Sequence, residues 1–156
     1  MRLQTRLFDE ISLYGITNFV PVRLPKFAVT VECGNSTTGF ASPADDYIEA
    51  RLDLNEYHQI RKHACFLVEA VGDSMIDAGI TENDLLIVDT SMDYREGDIV
   101  ICCLNGSYKA KIIQREKEKL FLKSRNPLFA PIEIQEHDDL RIFGVVKGLS
   151  RNFRRS

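Results

Sequence analysis

Asn105-Gly106 constrains this chain more than any other pair of residues. Both residue types tolerate positive φ, which the two central positions of a type I′ turn require, so the pair is a strong signal for a two-residue hairpin. It stands between two runs of strand formers, Asp98-Ile99-Val100-Ile101-Cys102-Cys103-Leu104 and Ser107-Tyr108-Lys109-Ala110-Lys111-Ile112-Ile113. A tight turn sets the register of everything behind it. Cys102 then faces Lys109, and Val100 faces Lys111. Lys109 lies near the loop, where its ammonium reaches water. Lys111 lies two residues deeper, between Ala110 and Ile112. A lysine on a strand can simply discourage edge-to-edge aggregation. A buried one loses its charge more easily, and a neutral amine is a competent base. Spacing alone favours the first reading for Lys109 and leaves both open for Lys111.

A second stretch supplies something for such a base to act on. Cys65-Phe66-Leu67-Val68 and Leu85-Leu86-Ile87-Val88 are short apolar runs that read as strands. Between them comes Gly72-Asp73-Ser74-Met75. Gly72 permits a tight turn, and a serine leaving a strand at such a turn presents its hydroxyl outward, as a nucleophile must. Taken alone the tripeptide is weak, because most such serines hydrogen-bond their own turn. A serine paired with a lysine is nevertheless a known variant of the nucleophile–base arrangement. Asp73, Asp77, Glu82 and Asp84 crowd the same stretch. No second cluster joins them into a paired-carboxylate or metal site, so they read as turn and surface residues.

Around these two stretches the chain reads as mostly β. Leu120-Phe121-Leu122 follows a charged turn over Arg115 to Lys119, Asn126-Pro127 is a turn, Ile132-Glu133-Ile134 alternates, and Leu140 to Val146 is the last strand. Ser42-Pro43-Ala44-Asp45 starts a helix, with Ser as cap and Pro in the first turn, and predicts helix to Leu52. A second short helix is predicted with Asp53 as cap and Glu56 at the third position. The pair would lay Tyr47, Ile48, Leu52 and Leu54 on the sheet. The expected fold is a partly closed, strongly bent β-sheet body with short N-terminal helices and an extended N-terminal arm. The expected divisions are an arm over 1–33, a flexible linker over 34–41, a body over 42–150 and a basic tail over 151–156. The arm carries apolar residues but too few to build a core, and Pro21 and Pro25 interrupt any long helix. It is expected to dock on the body or on a second copy, and a homodimer would also cover exposed strand edges.

A chain of 156 residues with net charge −3 carries no global footprint for nucleic acid, so direct sequence-specific DNA binding is not expected. The basic cluster Arg151-Asn152-Phe153-Arg154-Arg155 reads as a frayed, solvated end. No apolar run has the length of a membrane span, and the N-terminus lacks a signal-peptide core, so a cytoplasmic protein is expected. Cys33, Cys65, Cys102 and Cys103 form no CxxC pair, and His58, His63 and His137 show no ligand spacing with them. Buried reduced thiols are expected, with no metal and no cofactor.

Gly72-Asp73-Ser74-Met75, Asp84 to Asp89, Gly97-Asp98-Ile99-Val100, the hairpin carrying Lys111, Asn126-Pro127 and Phe143-Gly144-Val145-Val146 occur in fixed order from about Cys33 to Val146. Together they resemble the Ser-Lys self-cleaving family of LexA and UmuD, including its 37-residue Ser-to-Lys separation. Ser42-Pro43-Ala44-Asp45-Asp46-Tyr47 and Asp53-Leu54-Asn55 point to the UmuD branch. The resemblance implies Ser74 as nucleophile, Lys111 as base, and a cut after Cys33, before Gly34. The segment after that bond, NSTTGFA, is longer than the Phe-Pro pair of the UmuD pattern. The resemblance also implies an SOS-response autoprotease stimulated by a RecA filament on single-stranded DNA. Its trimmed homodimer would serve a Y-family (UmuC-like) translesion polymerase subunit. The alternatives are a DNA-damage checkpoint or polymerase-binding module that never cuts, or a LexA-like repressor fragment lacking the DNA-binding head.

Overall fold

The computed structural model describes residues 23–27, 48–61 and 63–153. They divide into two compact units, whose described parts meet in sequence at Ile60 and Arg61.

The described part of the first unit is a two-stranded antiparallel ribbon and one turn of helix. Strand β1 (Arg23–Phe27) pairs with β2 (Ile48–Asp53), with Arg23 opposite Asp53 and Pro25 opposite Arg51. A ribbon of two strands is all edge, which is where a proline can sit without breaking a central ladder. The helix predicted up to Leu52 is thus strand over Ile48–Leu52, and its Ser42-Pro43 start lies outside the described residues. A cap-like dipeptide is a local signal, and it cannot register a partner strand far upstream. The second predicted helix is present as α1 (Leu54–Tyr57), with Asp53 as its cap. Asp53 Oδ1 accepts from the amides of Asn55 at 2.7 Å and Glu56 at 3.3 Å, satisfying donors that a helix start leaves open. Leu54 is 55% exposed.

Among its described residues, the second unit forms one seven-stranded antiparallel sheet. Its strands are β3 (Cys65–Glu69), β4 (Leu85–Asp89), β5 (Ile99–Leu104), β6 (Ser107–Glu116), β7 (Lys119–Lys123), β8 (Ile132–Glu133) and β9 (Leu140–Ser150). Their spatial order is β3-β4-β9-β5-β6-β7-β8. The mostly β fold class anticipated from sequence is therefore present. The last strand in sequence holds the two halves together, pairing with β4 along one end and β5 along the other. Its register slips at both junctions, skipping Lys147 against β4 and Phe143 against β5. Such bulges bend a strand and sharpen its twist, and β9 carries one against each of its two antiparallel neighbours. Gly144 lies between the slips, where a Cβ would stand 2.6 Å from the backbone oxygen of Asp89.

The sheet buries apolar side chains on both faces. Met75, Ile80, Leu86, Val88, Ile101 and Ile112 form one cluster, and Val100, Cys102, Leu104, Ile113, Leu122 and Val145 form the other. Alternation along β5 and β6 produces this division, since successive side chains point to opposite faces.

The predicted hairpin is present: Asn105 and Gly106 have φ of 50° and 82°, and Cys102 pairs with Lys109 and Val100 with Lys111.

Two sequence expectations are corrected together at the end of β9. Asp84 is fully buried rather than a surface residue, and Arg151 is anchored rather than frayed. The guanidinium donates to both Asp84 carboxylate oxygens at 2.6 Å and to the Gly79 carbonyl at 2.6 Å. This bidentate pairing holds the Asp84 carboxyl down at about 2, against an ordinary 3.8. A depressed carboxyl contributes stability above its unfolded value and loses it as pH falls through the folded value. Arg151→Ala is therefore expected to lower the unfolding temperature at neutral pH, with a deficit that shrinks between pH 3.8 and about 2. Thermal melts of both proteins across that window check it.

Candidate active site

Strand β3 ends at Glu69, and the chain turns at Gly72, whose φ is 82°. Ser74 comes next but one, half-buried, and Met75 beside it is driven into the core at 3% exposure. An apolar anchor next to the serine limits how far the hydroxyl can wander. The Ile76–Ala78 segment then makes a single 3-10 turn, whose first amide donates to the Asp73 carbonyl at 3.1 Å.

A distant loop pins this turn. The side-chain amide of Asn126, only 7% exposed, donates to the Asp73 carbonyl at 3.0 Å, and its oxygen accepts from the Leu128 amide at 3.0 Å. The Asp77 amide donates to the Arg125 carbonyl at 2.8 Å. Sequence reading treated Asn126-Pro127 as a turn and missed this second task. Burial obliges such a side chain to find partners, but nothing local in the sequence marks Asn126 as buried.

Lys111 reaches the same place from β6. Facing Val100, it belongs to the sheet face of Val100, Cys102 and Ile113, and it is 7% exposed. Its Nζ lies 2.9 Å from Ser74 Oγ and 2.9 Å from Ser124 Oγ. The Phe129 ring lies 5.7 Å from the same nitrogen. Burial pushes the Lys111 ammonium below its ordinary 10.5, and the neighbouring Lys109 pushes it the same way. The Cys102 thiol across the ladder opposes them weakly, since burial raises its own value to about 11 and keeps it neutral. Lys109 is directed elsewhere, with Nζ 3.3 Å from Ser107 Oγ at the hairpin end.

The two residues singled out as nucleophile and base are thus brought together, and Lys109 is not part of the contact. Cys33 and Gly34 lie outside the described residues. Asp73, Asp77 and Glu82 are exposed, and Asp84 is engaged by Arg151. Cys102 is buried, whereas Cys65 and Cys103 are only half-buried. Among the described residues no three His, Cys, Asp or Glu side chains converge as a metal site. No described helix is long and apolar enough to cross a membrane. The site offers a hydroxyl in contact with an amine whose environment favours the neutral form.

Comparison with known proteins identifies the family. Residues 31–147 match the family described as Peptidase S24-like. Protein SamA of Salmonella typhimurium is 43% identical over 108 residues, covering 69% of this chain and 74% of its own. Protein ImpA of Escherichia coli is 40% identical over 109 residues, covering 69% of this chain and 73% of its own. LexA repressor 2 of Pseudomonas putida is 35% identical over 137 residues, covering 88% of this chain and 67% of its own. With both the family match and these relatives spanning most of its length, the chain belongs to the peptidase S24-like family, in its LexA/UmuD type.

Proposed function

We propose that this chain is a serine endopeptidase acting on itself, with Ser74 as nucleophile, Lys111 as general base, and the bond between Cys33 and Gly34 as substrate. The observation that carries the reading is the 2.9 Å contact between Ser74 Oγ and a buried Lys111 Nζ. Neutral Lys111 takes the hydroxyl proton as Oγ attacks the Cys33 carbonyl carbon. The tetrahedral intermediate collapses with cleavage of the C–N bond, and the Lys111 ammonium returns its proton to the departing Gly34 amine. Water, deprotonated by the same lysine, then hydrolyses the Ser74 ester and frees the Cys33 carboxylate. A segment of small and polar residues such as Cys33-Gly34-Asn35-Ser36 can extend into a narrow site without a Cβ clash at Gly34.

The ladder of the first unit governs the fate of the arm after cleavage. Strand β1 precedes the scissile bond and β2 comes after it. Cleavage therefore leaves the arm held by non-covalent contacts alone, and a two-stranded ribbon is only marginally stable by itself. The arm acts as a removable cover whose loss exposes a surface to a partner. Within the same proposal the protein works in the cytoplasm as a homodimer, a RecA filament on single-stranded DNA promotes the cut, and a Y-family polymerase subunit receives the trimmed dimer.

Purified full-length chain incubated between pH 7 and 10 is expected to yield two products, residues 1–33 and 34–156, resolved by intact mass. Gly34→Glu is expected to stay full length, because a bulky charge must enter a tight site. A large fragment beginning elsewhere than Gly34 moves the cut. A chain that stays whole at alkaline pH and with activated RecA is a binding module instead.

A further inference from the structure

Lys111 touches two hydroxyls at equal distance, and self-cleavage by the Ser74–Lys111 pair uses only one. We propose that Ser124 is a positioning residue: its hydroxyl accepts an N–H of Lys111 and so holds the amine with its lone pair toward Ser74. The proposal rests on Lys111 acting as the base.

The sheet itself places Ser124. β6 and β7 pair antiparallel, and their ladder runs from Glu116 opposite Lys119 to Ile112 opposite Lys123. Continuing that register by one residue sets Ser124 opposite Lys111. Lys111 is therefore flanked by Val100 on one side and Ser124 on the other, and the 2.9 Å contact to Ser124 Oγ arises from strand geometry. The next residues, Arg125 and Asn126, are tied to the Ser74 turn through the Asp77 amide and the Asp73 carbonyl. One short segment thus orients the base and braces the nucleophile's loop.

The chemistry explains why an acceptor is needed there. A neutral lysine has one lone pair and two N–H bonds, and its terminal C–N bond rotates freely. Unless an N–H is held, the lone pair points at Ser74 only part of the time. Val100 offers nothing polar, and the Phe129 ring face fixes no single N–H direction. Ser124 Oγ can accept from either N–H and also from the ammonium that forms once the proton has moved. Hydrogen bonds to a charged donor are the stronger kind, so Ser124 also favours the protonated product of the transfer. The charged or titratable groups facing Lys111 are Lys109 on its own strand and Cys102 on β5, and neither has its position set by Ser124.

The test compares Ser124→Thr, Ser124→Val and Ser124→Ala in the full-length chain, each monitored for self-cleavage from pH 7 to 10. Threonine and valine have the same shape and differ in the hydroxyl. Ser124→Val and Ser124→Ala are expected to cut about ten- to a hundredfold more slowly at the plateau, as for a misaligned reacting pair. Their rate profiles are expected to turn over at lower pH, because the ammonium has lost an acceptor. Ser124→Thr is expected to restore both plateau and midpoint. Equal rates and midpoints for the threonine and valine variants overturn the proposal, whichever of them melts at the lower temperature. So does a Ser124→Ala profile that superposes on that of the parent. Lys111→Ala separates the two levels: if it still cuts, the base assignment fails; if it is inert while Ser124→Val matches Ser124→Thr, only the positioning role fails.

Discussion

Ser74→Ala is expected to abolish self-cleavage while leaving the fold in place. Removing the nucleophile of a covalent mechanism costs on the order of 10⁴-fold or more, because the remaining groups act as a unit and cannot compensate. The structural cost is small by comparison. Ser74 is half-buried, its side chain accepts one bond from Lys111, and the turn is held independently by Met75 in the core and by Asn126 on the Asp73 carbonyl. The measurement is fragment formation at alkaline pH beside a thermal melt. The same fragment at a comparable rate from Ser74→Ala removes Ser74 from the role. Because Ser124 sits equally close to Lys111, the informative counterpart is Ser124→Ala: full activity in Ser74→Ala with none in Ser124→Ala would exchange the two serines.

Lys111→Met is expected to be equally inactive and, at neutral pH, more stable than the parent. Both effects have one cause. Burial disfavours the ammonium, so folding at neutral pH carries the cost of a charge held at 7% exposure. Methionine has much the same reach and no charge. The sign comes from proton linkage: the folded value lies below 10.5, so the cost is full below the folded value and vanishes as pH rises to 10.5. The stability gain of Lys111→Met should fade over that window. The parent's cleavage rate should rise about tenfold per pH unit until Lys111 is neutral, then level off. A flat rate from pH 7 to 10 contradicts a lysine base. An inactive Lys109→Ala beside an active Lys111→Ala would exchange the two lysines.

The depth of Lys111 is legible from sequence because a two-residue turn is a local device. Asn105-Gly106 sets the register over the strands behind it, and that register carries Lys111 to Val100 as expected. The Gly72 turn that carries Ser74 is local too, a glycine between two apolar runs, but the tripeptide alone is weak, and only the order of motifs along the chain singles the serine out. The second hairpin is legible in principle too. A two-residue turn at Lys117-Glu118 would place Ser124 opposite Lys111, but the charged run from Arg115 to Lys119 carries no Gly or Asn to mark the turn.

Other features have no local signature at all. Ile48–Leu52 lies downstream of a helix-start signal, yet it is strand because β1 offers it a ladder; intrinsic propensity is weak against a paired backbone. In sequence Asp84 looks like one more turn carboxylate and Arg151 like part of a solvated tail. They meet only because β9 runs the length of β4 and delivers its C-terminal end to the Gly79–Asp84 loop, 67 residues away in sequence. Asn126 reaches the Ser74 turn across 53 residues in the same way. Short-range residue chemistry, acting through turns and alternation, determined by itself which face each strand buries and how deep the lysine lies. The order of strands in the sheet decided which loops share a site, because contacts between distant segments depend on how bulges and register steer whole strands rather than on the residues that finally touch.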